Sequence, residues 1–159
     1  MDRKRANISL PSDTQILITR HLDAPAAAVY RAYTTPELVS RWWVGRRGVM
    51  RSCEIDLRVG GAWRYVMEAN GGFEVAFHGV YEEIVPGRKL VTTEVFEGMP
   101  DVRARSTVTF DERDAGTLVS ILVDHTAREH RDVHIASGMD DGLQEAFDEL
   151  EVLVTEASS

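Results

Sequence analysis

The chain has 159 residues, 43% of them hydrophobic and 28% charged, with a net charge of −8. That length suits one domain burying about 70% of its unfolded surface, and the negative charge excludes broad nucleic-acid or anionic-membrane binding, which need a positive field. One cysteine, Cys53, excludes an internal disulfide and suits a reducing, cytoplasmic setting.

Residues 1–12, including the basic Arg3-Lys4-Arg5, read as a loose lead-in to a single domain over 13–157. Thr14 to Leu22 alternates and predicts a first strand. Asp23 offers a cap and Pro25 a first-turn residue for a helix whose apolar stripe is Ala26, Val29, Tyr30 and Tyr33. Thr35, Pro36 and Glu37 open a second short helix that packs through Leu38, Val39, Trp42 and Trp43 and ends at Gly45-Arg46-Arg47-Gly48.

The period then changes to two. Alternation over Cys53–Leu57 stops at Gly60-Gly61, and Trp63, Tyr65 and Met67 alternate up to Asn70-Gly71-Gly72. Phe73–Val85, Leu90–Phe96, Arg103–Phe110 and Thr117–His125 follow as strands, broken at Pro86-Gly87, at Gly98-Met99-Pro100 and by the polar turn Asp111–Gly116. Short connections imply an antiparallel meander. Met139, Leu143, Phe147, Leu150 and Val154 then recur at helical spacing, opposite a face carrying Asp140, Asp141, Glu145, Asp148, Glu149 and Glu151. The expected fold is α+β: a curved antiparallel sheet of about seven strands wrapped around a long C-terminal helix. Ordinary side chains do not close a curled sheet completely onto one helix, so a cavity is expected between them. No segment approaches the roughly 20 apolar residues of a membrane span, and the N-terminus has no signal-type apolar run.

Several pieces fall in one familiar order: Asp23-Ala24-Pro25 with Val29-Tyr30, Thr35-Pro36-Glu37-Leu38 with Trp42-Trp43, Gly60-Gly61-Ala62-Trp63, His78-Gly79-Val80-Tyr81 with Glu83-Ile84-Val85-Pro86, and Gly138-Met139 before the last helix. With these residues the chain resembles the helix-grip proteins of the START and birch-pollen-allergen (SRPBCC) superfamily. Within them it is similar to the subfamily of the heat-shock-protein-90 ATPase activator C-terminal domain. The resemblance spans residues 14–155 and implies the fold; the superfamily hosts carriers, cyclases and receptors, so it implies no one activity. The full activator has a further N-terminal domain not found in these residues, and chaperone binding is not expected.

The candidate lining of the cavity is Trp63, Tyr65, Phe77, Phe96, Phe110, Met139, Leu143 and Phe147, with Trp42 and Trp43 near its mouth. Each could equally belong to a packed core, and a register error of one residue would invert the strand faces. His78, Glu94 and His125 are the candidate acid–base groups if they point inward. His130 and His134 are one helical turn apart but lack the glutamate of zinc-protease helices, so no metal or other cofactor is expected. Cys53 reads as a buried, inert thiol. The leading expectation is a binder of a mostly apolar small molecule. A cyclase- or hydratase-type enzyme using the same cavity and a chaperone-interaction module are the alternatives. A homodimer is compatible with the sequence, which carries no interface signature.

Overall fold

In β2 (Gln15–Leu22) every second side chain, Ile16, Ile18, Arg20 and Leu22, is buried, so the period of two in the sequence becomes one inward face. The computed structural model describes residues 5–113, 115–136 and 139–157; Arg3, Lys4, Asp114 and Gly138 lie outside the described residues. Ahead of β2 a short strand, β1 (Asn7–Ser9), pairs with it antiparallel, so part of the expected lead-in is an edge strand. Its exposed alternation is too short to register as a strand in the sequence.

Two helices follow, α1 (Ala26–Thr34) and α2 (Pro36–Trp42). Asp23 does not cap α1. Pro25 holds the cap position, and Glu112 supplies the missing acceptor by taking the Ala26 N–H at 3.2 Å. Thr35 holds the cap position of α2 but caps it only through its backbone carbonyl, which accepts from Leu38 and Val39 at 2.9 Å.

The remaining strands are β3 (Gly48–Ile55), β4 (Ala62–Ala69), β5 (Glu74–Val85), β6 (Lys89–Phe96), β7 (Arg103–Arg113) and β8 (Gly116–His125). They run antiparallel in the order β1-β2-β8-β7-β6-β5-β4-β3, eight strands where about seven are read from the sequence. β3 starts earlier and stops sooner than the Cys53–Leu57 alternation suggests, because a bulge between Met50 and Ser52 breaks its parity. A second bulge, between Tyr81 and Glu83, turns Tyr81 and then Ile84 toward the core, where unbroken alternation would turn Glu83 inward.

After β8, α3 (Arg128–Ala136) crosses to α4 (Met139–Ala157). Phe147, Leu150 and Val154 of α4 are almost fully buried with Ile16, Ile18 and Val119 of the sheet. The charged side of α4 is not uniformly wet. Buried Arg20 donates from Nη1 to Asp148 and from Nη2 to Glu151, both at 3.0 Å, and Glu151 also accepts the Asp23 N–H at 2.9 Å. These bonds clamp the middle of α4 to β2 and to the start of the α1 connection. No helix among the described residues is long and apolar enough to cross a membrane.

Candidate functional site: a cavity between sheet and helix

α4 covers one end of the curved sheet more closely than the other. The difference is a cavity of about 520 Å³, within the usual range for small-ligand sites. Its floor is the inward face of β4 to β8, and its roof is Met139, Leu143 and Phe147 of α4 with Trp42 and Trp43 at one side. Exposed Met99 and Val133 and the half-exposed Arg47 border it, placing its opening between the β6–β7 connection, α3 and the start of α4.

Five rings run in an unbroken arc along the wall. Centroid separations are 4.7 Å for Trp63–Tyr65, 5.1 Å for Tyr65–Trp43, 5.2 Å for Trp43–Phe77 and 5.3 Å for Phe77–Phe96. Gly79 makes this arc possible. A Cβ there would fall 1.8 Å from the Thr93 carbonyl oxygen and 2.6 Å from Trp63 Nε1, so only glycine lets the indole lie across β5 and donate to Thr93 at 3.2 Å. Trp42 is fixed in the same manner, its Nε1–H donating to Ala32 at 2.9 Å.

The polar groups in the wall are few. Glu94 points in from β6, and burial raises the pKa of its carboxyl. It makes no hydrogen bond or ion pair with any described residue. The Tyr33, Tyr65 and Tyr81 side chains also border the space, and burial raises the pKa of all three hydroxyls; Tyr81, Tyr33 and Glu94 add to the shift at Tyr65. At the far side, His125 Nε2 sits 3.0 Å from His134 Nδ1, and His125 Nδ1 is buried with no partner. Burial, then the neighbouring His134, lower the pKa of His125 to about 4, so the ring is neutral at physiological pH. Among the described residues no cluster of three or more histidine, cysteine or acidic side chains could hold a metal ion.

Of the lining candidates, nine lie in the wall and Phe110 does not. Phe110 is buried against Tyr30 and Tyr33 of α1, at centroid distances of 5.6 and 5.3 Å, and belongs to the closed core. Trp42 is deeply buried rather than at the mouth. Glu94 and His125 face inward, but His78 faces out. Its neighbour Phe77 points into the cavity, and adjacent strand residues cannot share a face. On the outer surface His78 Nδ1 lies 3.0 Å from Glu97, which also takes two bonds from Arg64 at 2.9 Å. These bonds, Arg64 first, lower the pKa of Glu97 to about 2. Cys53 is half-buried beside α2, and burial raises the pKa of its thiol to about 11 against a weaker opposing hydrogen bond from Ser40, leaving it a poor nucleophile. Sequence reading overlooked Tyr33, Tyr81, Thr92 and Ser106 in the wall, and His134, which α3 carries there.

A curved antiparallel sheet gripping a C-terminal helix around an apolar cavity defines a helix-grip protein of the SRPBCC type. The family profile described as Activator of Hsp90 ATPase homolog 1-like protein matches residues 23–155, and the chain belongs to that family. A crystal structure of a protein from Rhodobacter sphaeroides superposes with a TM-score of 0.89 at 25% identity, covering 96% of this chain and 99% of that one. A protein from Nitrosomonas europaea gives 0.84 at 24% identity over 93% and 98% of the two chains. One from Chromobacterium violaceum gives 0.76 at 29% identity over 90% and 98%. No curated protein sequence matches the chain significantly.

Proposed function

We propose that this protein binds a mostly apolar small molecule in the cavity between the sheet and α4. The observation that carries this reading is the 520 Å³ space itself, walled by an arc of five aromatic rings and by α4 side chains that leave it unfilled. A ligand burying about 300 Å² of apolar surface would gain roughly 7 kcal/mol before the cost of immobilisation, enough for useful affinity. The enzyme reading has less support: Glu94 and His125 both border the space, but no hydrogen bond joins them and His78 is on the outer face.

The test is a titration with N-phenyl-1-naphthylamine, whose fluorescence rises in apolar surroundings. The wild type should bind it saturably at about one equivalent. Ala104→Phe, which puts a ring into the cavity from β7, should weaken binding at least about tenfold while the thermal melt stays cooperative. No saturable binding, or equal binding by the filled variant, contradicts the reading.

A further inference from the structure

We infer that the cavity selects organic ammonium ligands, an apolar body carrying one protonated amine, and that Glu94 is the residue that reads the charge. The inference rests on the proposal that the cavity binds small molecules, and it specifies their class.

Three observations converge on it. First, among the described residues Glu94 is the one carboxylate in the cavity wall, and it has no hydrogen-bond or ion-pair partner among them. Arg47, the guanidinium of the wall, sits at the opening beside Glu145 at 3.7 Å, and burial disfavours the charged form of the wall histidines His125 and His134, so no interior cation among the described residues is set to match Glu94. A carboxylate set in an apolar wall without a counter-charge costs stability, and a ligand that supplies the counter-charge recovers that cost on binding.

Second, the β7 side of Glu94 leaves room. Ala104, with a single methyl group, stands opposite it there, while on β5 the Trp63 indole covers Gly79. The carboxylate therefore has a pit on its β7 side rather than a packed contact.

Third, the rim of that pit is aromatic. Trp63 crosses Gly79 to reach Thr93, the residue before Glu94, and Phe96 lies two residues beyond on the same face. These two rings are the ends of the arc that continues through Tyr65, Trp43 and Phe77. Ring faces attract a desolvated cation, and a carboxylate beside them fixes where it sits. The same surroundings disfavour an anionic ligand, because Glu94 would repel it. A neutral alcohol would gain a hydrogen bond but neither the charge pairing nor the attraction of the rings.

Isothermal titration calorimetry at pH 7.5 with three probes of matched shape tests this: 1-(aminomethyl)naphthalene, 1-(hydroxymethyl)naphthalene and 1-naphthoic acid. The wild type should bind the amine at least about tenfold more tightly than the alcohol, and the acid most weakly. Glu94→Gln should reduce the amine-to-alcohol ratio to near one, chiefly through loss of amine affinity; Glu94→Met serves as the second variant if the glutamine form melts without cooperativity. Equal binding of amine and alcohol by the wild type, a preference for the acid, or an amine preference that survives loss of Glu94 would overturn the inference and leave cavity binding intact. Failure of all three probes to bind would overturn both.

Discussion

Burial disfavours the charged form of both Glu94 and His125, and it does so with opposite signs of pH dependence. Burial raises the pKa of Glu94, so as pH rises past the ordinary carboxylate range the unfolded chain gives up this proton before the folded one does, and stability falls. Glu94→Gln should therefore raise the unfolding free energy at pH 7.5, by on the order of 1 kcal/mol, and change it little at pH 4, as urea unfolding at the two pH values would show. Burial lowers His125 from 6.5 to about 4, so as pH falls through that window the unfolded chain takes up a proton that the folded site refuses. Stability from this site is present above about pH 6.5 and lost on the way to pH 4. Urea unfolding of His125→Asn across that range should show a shallower acid loss, by on the order of 2 kcal/mol. The identity of these side chains was legible in the sequence; their facing was not uniformly so. Strand alternation cannot turn Phe77 and His78 to one face, and the structure turns Phe77 inward. Phe110 lies outside the wall for a different reason, because α1 rather than α4 covers its end of β7.

At the scale of elements, α4 is held by a buried cation as much as by its apolar stripe. Arg20 is 1% exposed, lies 6.0 Å from the centre of the Phe147 ring and bonds both Asp148 and Glu151. Truncating it removes the guanidinium that pairs with both carboxylates, and Arg20→Ala should cost about 3 kcal/mol or more in chemical unfolding. Adding Glu151→Gln should restore part of that loss; a double variant no more stable than the single one would mean that the ion pair does not hold α4. The sequence announces the helix and its stripe clearly, yet sets Asp148 and Glu151 on the face opposite that stripe. Nothing local marks them, since their partner is more than 120 residues away on a strand whose inward alternation includes an arginine. The strand bulges and the Glu112 contact that completes the start of α1 are hidden for the same reason: each depends on a neighbour brought close only by the fold.

Over the whole molecule, order and spacing of elements were enough to read the architecture. Short turns force neighbouring strands into an antiparallel sheet, and one long amphipathic helix has only that sheet to cover. The cavity follows from the same facts, because a strongly curved sheet outreaches the helix it grips. Its volume and chemistry do not follow, since they depend on Gly79 letting Trp63 lie across β5, on Ala104 being small beside Glu94 and on α3 bringing His134 against His125. The most direct test of the account is a crystal structure of the wild type grown with N-phenyl-1-naphthylamine. The probe should lie inside the sheet–α4 space, its rings against Trp63 and Phe147. A probe seated only on the outer surface, with α4 side chains filling the space instead, would contradict it.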